Sequence, residues 1–157
     1  MGKITKGQVK NSIGRSLSEI VSKSPTKNEI KEIWHFFNNK CAFCEKELLK
    51  GQGHLDHLVP FDNCGKNGKY NRVLSCPDCN SKEKRDKDWN IFLKEKCGNN
   101  KEKYKRLKSK IDEWISNDKE KVSKELLKKY LRLCDEIKTK FDSTYIDLEQ
   151  FRDGISK

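Results

Sequence analysis

The chain has 157 residues, 33% hydrophobic and 38% charged, and its 35 Lys/Arg against 24 Asp/Glu leave a net charge of +11. That length allows one domain, or one small domain with helical additions, and so polar a composition argues against a large ordinary apolar core. No apolar run approaches the ~20 residues that span a bilayer, and the basic balance suits either a polyanionic partner or a merely lysine-rich surface.

The first residues, Met1-Gly2-Lys3-Ile4-Thr5-Lys6, lack the apolar stretch of a secretory signal. A cytoplasmic location with reduced thiols is therefore expected, the thiolates serving metal rather than disulfides. Residues 1–25 read as a basic arm. Val9, Ile13, Leu17, Ile20 and Val21 recur at helical spacing, and residues 1–28 carry six Lys/Arg against Glu19 alone, a net of +5. Either the arm follows a DNA backbone or it is an amphipathic helix packed on the core. Ser24-Pro25 interrupts the chain. Thr26 with Glu29 then forms a capping box, opening a helix in which Ile30, Ile33, Trp34 and Phe37 share one face. His35 on that helix reads as structural.

Residues 45–75 are expected to hold a short hairpin, with strands His54 to Val59 and Arg72 to Ser75. The link from Phe61 to Lys69 is polar and rich in turn residues. A helix should open at Asn80. Asp86 should start a further turn that buries Trp89, Phe92, Leu93 and Cys97 and stops at Gly98. Two more apolar stripes follow at helical spacing, Tyr104-Leu107-Ile111-Trp114-Ile115 and Val122 through Phe141. The acidic tail from Ser143 is expected to fray. The organisation expected is an arm (1–25), a core (26–97) and a helical extension (98–157).

The centre of the chain is Gly53-His54-Leu55-Asp56-His57-Leu58-Val59-Pro60. Cys41-Ala42-Phe43-Cys44 precedes it and Cys76-Pro77-Asp78-Cys79 follows, with Asn80 directly after. Two C-x-x-C pairs form a four-thiolate Zn²⁺ site, Cys41, Cys44, Cys76 and Cys79, that would clamp two knuckles together. Such a site substitutes for apolar burial, contributing about 10–16 kcal/mol. Of the remaining cysteines, Cys97 and Cys134 read as core thiols and Cys64 as a loop thiol or a spare ligand.

This order of residues resembles the HNH, or ββα-metal, endonucleases. Asp56-His57, then Asn71 in Tyr70-Asn71-Arg72-Val73-Leu74-Ser75-Cys76, then Cys79-Asn80 carry the resemblance, which covers roughly residues 41–90. It implies an α+β fold, a small zinc-stapled ββα-metal unit with mainly helical N- and C-terminal additions. It also implies that His57 is the general base in phosphodiester hydrolysis, and that Asn71 holds the loop and His57 in place without binding metal. Asp56 and Asn80 offer oxygen ligands to a catalytic Mg²⁺ or Mn²⁺, beside the structural Zn²⁺. His54 shares the strand face of Asp56 and could support it, bind metal or touch phosphate. Where the family often has Lys-Gly, this chain reads Ser81-Lys82-Glu83-Lys84-Arg85, so Lys82, Lys84 and Arg85 are all candidates for phosphate contact. Residues 80–110 hold twelve Lys/Arg against five acids. The expected partner is double-stranded DNA, met mostly through phosphates, with a homodimer required if both strands are cut together and no membrane. A restriction, mobile-element or phage-defence setting suits such an enzyme. The competing reading is a non-catalytic zinc module that binds nucleic acid, which would have no use for the Asp-His-Asn-Asn set.

Overall fold

The computed structural model describes residues 5–60, 65–85, 87–119 and 123–155. Its elements are α1 (Lys6–Val21), α2 (Lys27–Phe36), β1 (His54–His57), β2 (Arg72–Ser75), α3 (Trp89–Cys97), α4 (Lys101–Ser116) and α5 (Lys124–Ile155). A 3-10 turn, Lys69–Asn71, leads into β2, and a π-helical turn, Asp78–Lys84, follows the second knuckle. The fold is α+β, mainly helical, with a two-stranded antiparallel sheet in the central part of the chain. The described residues divide into two units, 22–119 and 5–21 with 123–155.

In the first unit, α2 starts where its capping box dictates. The Glu29 amide donates to Thr26 Oγ1 at 3.3 Å, and the Thr26 amide donates to Glu29 Oε2 at 2.8 Å. The reciprocal bonds satisfy two amides that have no partner within the helix. The apolar face buries Ile33 and Phe37, with Trp34 packed at its edge.

Strands β1 and β2 pair His54 with Ser75, Leu55 with Leu74, Asp56 with Val73 and His57 with Arg72. Gly53 enters β1 where a Cβ would meet Leu74 Cδ1 at 2.6 Å and Trp34 Cζ2 at 2.8 Å, so the close approach requires glycine. β1 stops at His57, two residues short of the expected end. Beyond it the side chain of Asn71 stands in for a strand neighbour, taking the Val59 amide at 2.9 Å and donating to the Val59 carbonyl at 3.0 Å. Pro60, without an amide, could not have continued the ladder.

Asp88 caps α3 by accepting from the Asn90 and Ile91 amides, and Gly98 ends it at φ +53°. Asp86 and Cys64 lie outside the described residues. Helix α4, expected as part of a separate extension, contributes Leu107, Ile111 and Trp114 to the core formed by Ile33, Phe43, Leu58, Val73, Leu74, Phe92 and Leu93. Each of those side chains, fully buried, is stabilising by about 1.5–3 kcal/mol. Trp114 also donates from Nε1 to the Arg72 carbonyl at 2.8 Å, tying α4 to β2.

In the second unit α1 lies against α5. Gly14 and Ser18 are buried on α1, and Tyr130 and Cys134 on α5. Lys6 and Lys10 pair with Asp142 at 3.1 and 2.6 Å. Lys6 also sits 4.6 Å above the Tyr145 ring. Of these partners Tyr145 lies in the tail expected to fray, and α5 instead runs as a helix to Ile155.

Candidate metal and catalytic site

Short-range backbone bonds shape the first knuckle. Asn38, Asn39 and Glu45 take positive φ of 52°, 54° and 67°; asparagine tolerates this region better than most residues. The Cys41 amide donates to the Lys46 carbonyl and the Glu45 amide to the Cys41 carbonyl, both at 2.9 Å. The Ala42 amide bonds the Leu74 carbonyl at 2.8 Å, which ties this knuckle to the strand that runs into the second. The result brings the sulfurs of Cys41, Cys44, Cys76 and Cys79 within 4.8 Å of one another. Cys44 and Cys76 sulfurs are 3.7 Å apart. A zinc tetrahedron with bonds of ~2.3 Å has sulfur–sulfur edges of about 3.8 Å, so the four cysteines fit structural zinc.

The protons on these thiols tell the same story. Thiol donors Cys44 and Cys79 hold Cys41 well below its ordinary value. Hydrogen bonding to Cys41 raises Cys44 to about 11, and bonds to Cys41 and Cys44 raise Cys79 further. One thiolate is thus easy to form and the next are hard without a cation to share their charge. A bound dication removes that difficulty and releases the protons.

Asp56 and His57 close β1. Asp56 is buried, and its Oδ2 has no hydrogen-bond donor. The ammonium of Lys84 lies 3.4 Å from each of the Asp56 carboxylate oxygens. Burial pushes the Asp56 carboxyl up to about 6, against the opposing pull of Lys84 and Arg72. A buried carboxylate oxygen with no hydrogen-bond donor is the kind of atom that suits a hard cation, and Asn80 lies on the turn whose Lys84 reaches Asp56.

His57 is held from the loop. Its Nε2 lies 3.2 Å from Asn67 Oδ1. The same oxygen accepts from Arg72 Nη2 at 2.6 Å. A guanidinium only donates, so that atom is an acceptor and His57 Nε2 must carry the proton. In neutral His57 the proton-accepting lone pair is therefore on Nδ1. Asn67 is buried, and its amide nitrogen donates to Ser24 Oγ at 3.1 Å. The Gly68 amide donates to Ser22 Oγ at 3.0 Å, so residues 22–24 pin the loop from outside. Asn71 binds the same loop through the Lys66 carbonyl at 2.7 Å, besides its two bonds to Val59.

Asn71 thus holds the loop, while the bond to the His57 ring comes from Asn67, which the sequence reading passed over. Its only signal was an Asn-Gly dipeptide, which reads as a turn. Asn80 lies on the π-helical turn, its amide bonded to the Cys76 carbonyl at 3.0 Å. Lys84, from the end of that turn, reaches Asp56. His54 is exposed at the start of β1. Lys82 is exposed and paired with Asp78 at 2.7 Å. Lys84 differs from the expectation of a phosphate contact: it is 1% exposed and turned inward, because Asp56 and the His57 carbonyl attract its ammonium. Arg85 is exposed at φ +49°, so Lys84-Arg85 has the backbone that a Lys-Gly pair would take easily.

Residues 41–86 match the family model described as HNH endonuclease. The matched segment contains both knuckles, Asp56-His57, Asn67, Asn71, Asn80 and Lys84. The chain therefore carries an HNH segment, a type of domain that binds metal and acts as a nuclease on nucleic acid. No curated protein matches the chain. Among the described residues, no helix is long and apolar enough to cross a membrane.

Proposed function

We propose that this protein is a metal-dependent endonuclease that hydrolyses phosphodiester bonds in double-stranded DNA, with His57 as general base. The observation that supports this most directly is the chain Arg72–Asn67–His57, which sets the imidazole tautomer beside a buried Asp56. His57 Nδ1 would take the proton of the attacking water, and Nε2–H would keep its bond to Asn67 as the ring becomes positive. Imidazole is the side chain that most often takes a proton in general-base catalysis. Asn71 keeps Val59 and Lys66 in place, so the ring does not drift from the water it must meet. Asp56 and Asn80 would hold Mg²⁺ or Mn²⁺, which supplies charge neutralisation at the phosphate and help for the departing oxygen.

His54, Lys82 and Arg85 lie exposed near the site and are assigned to support or phosphate contact. Within residues 80–110, and among the described residues, Arg85, Lys94 and Lys101 are exposed and form no ion pair, which leaves them open to DNA phosphates. In the arm, Lys6 and Lys10 already face Asp142, so its share of binding is smaller than its formal charge. Affinity for DNA should fall steeply with salt. One such site cuts one strand, and cutting both takes two copies or two events. The enzyme would act in the cytoplasm, in restriction, a mobile element or phage defence.

Nicking of supercoiled plasmid in Mg²⁺ or Mn²⁺ tests the reading. His57→Ala should lower the rate by about 10²–10⁴-fold, with zinc content and DNA affinity retained. Asp56→Ala should also lose cleavage, in part recoverable at high Mg²⁺. Wild-type protein that leaves plasmid intact, or His57→Ala that cuts at the wild-type rate, would overturn it.

A further inference from the structure

We propose that Lys84 is a resident cation of the Asp56 carboxylate that a divalent metal displaces, so that metal binding drives this lysine side chain out of the interior. The proposal rests on the reading of Asp56 as a metal ligand. Lysine is almost never fully buried unless paired, yet Lys84 is 1% exposed. Its Nζ donates to the His57 carbonyl at 2.7 Å. To Asp56 it is looser, 3.4 Å from Oδ1 and 3.4 Å from Oδ2. Charge-assisted N–H···O bonds are usually ~2.7–2.9 Å, so the ammonium is anchored on a carbonyl and only shared by the carboxylate.

That arrangement solves one problem and creates another. A buried carboxylate without any counter-charge is costly, and Lys84 provides one before metal arrives. The same ammonium then occupies the side of Asp56 that a metal needs. Two cations on one buried carboxylate repel strongly, because little water lies between to screen them. Metal and Lys84 are therefore competitors.

The backbone gives Lys84 a way out. It ends the π-helical turn, whose closing bond from the Arg85 amide to the Asn80 carbonyl is long, 3.3 Å. Glu83 before it and Arg85 after it are both exposed. A short rotation at the end of this turn moves the side chain from interior to surface without disturbing a strand or the core. Asn80 shares the turn, so the residue proposed to gain the metal and the residue that must leave are on one element.

The test is amine acylation of the zinc-loaded full chain, read residue by residue by mass spectrometry, with and without Mn²⁺. Lys84 should be protected in the metal-free site and react about tenfold faster or more in saturating Mn²⁺, since a buried amine reacts only through opening. Asp56→Asn should abolish this dependence on Mn²⁺. In parallel, Mn²⁺ affinity measured by electron paramagnetic resonance should be about tenfold tighter in Lys84→Met than in wild type. Lys84→Arg, which keeps the charge, should show no gain. If Mn²⁺ binds wild type through Asp56 while Lys84 stays protected, the displacement is wrong and the metal-site reading stands. If no variant binds Mn²⁺, or Asp56→Asn binds it as well as wild type, both fall. If Lys84→Met does not fold, the labelling of wild type decides.

Discussion

The two units use their apolar residues in opposite ways. In residues 22–119, Ile33, Phe43, Leu58, Val73, Leu74, Phe92, Leu93 and Ile111 are all sealed from water. On α5, Leu126, Leu133, Ile137, Ile146, Leu148 and Phe151 stay exposed, as does Ile20 on α1. The first unit closes because two cysteine knuckles cross-link distant pieces of chain around a short sheet. Two helices lying side by side cover one face of each and cannot enclose a core. A polar chain thus obtains one well-packed unit by concentrating its apolar residues around a cluster of four cysteines.

The largest effect expected on this contrast is Cys76→Ser. It removes a zinc ligand, and with it most of the about 10–16 kcal/mol that such a site contributes. All three tryptophans, Trp34, Trp89 and Trp114, lie in the knuckle unit. Their fluorescence should shift to that of an unfolded chain, while far-ultraviolet circular dichroism keeps the helical signal of α1 and α5. Loss of both signals together would show that the units are not independent in stability.

Next, Ile111→Ala should cost about 2–5 kcal/mol in urea unfolding followed by tryptophan fluorescence. Phe151→Ala, at an exposed position, should change helix unfolding by under about 0.5 kcal/mol. Equal losses at the two positions would erase the distinction between the units. Asn67→Ala should reduce nicking about 10–100-fold by releasing the His57 ring, at a folding cost of about 1–3 kcal/mol for the unpaired buried partners. Nicking at the wild-type rate would show that the ring needs no such partner.

A smaller effect concerns pH. The folded Asp56 carboxyl titrates near 6 against an ordinary 3.8. Between those values the folded protein keeps a proton that the unfolded chain has lost. Lowering pH from 6 towards 4 therefore stabilises the metal-free knuckle unit through this group, and above pH 6 the cost of a buried carboxylate is present in full. Metal needs the ionised form, so Mn²⁺ affinity should weaken about tenfold between pH 7 and pH 5. A flat affinity across that range would mean that Asp56 is not the ligand. The smallest effect is Asp142→Ala. Its pairs with Lys6 and Lys10 are solvent-screened, and its loss should leave thermal unfolding of both units close to wild type.

Much of this protein was legible in its sequence, and the limit follows residue spacing. Thr26 and Glu29 announced α2 because a capping box is a three-residue affair. Cys41, Cys44, Cys76 and Cys79 announced a metal cluster because sulfur ligands at knuckle spacing have few other uses. Asp56 and His57 were visible as neighbours, and β2 runs from Arg72 to Ser75 as expected. Local spacing could not reveal Asn67 as the partner of His57, ten residues away across a loop held by Ser22 and Ser24. Nor could it turn Lys84 inward, since a lysine in a run of charges reads as solvated until a buried carboxylate and the His57 carbonyl are placed beside it. The sequence by itself determined the clustered cysteines, the cap of α2 and the place of the two strands, because these depend on chemistry within a few residues. Only the tertiary structure decided the protonated nitrogen of His57, the ending of β1 at an Asn71 side chain, the entry of α4 into the core and the burial of Lys84, because each depends on charges and hydrogen-bonding groups that meet only after the chain has closed.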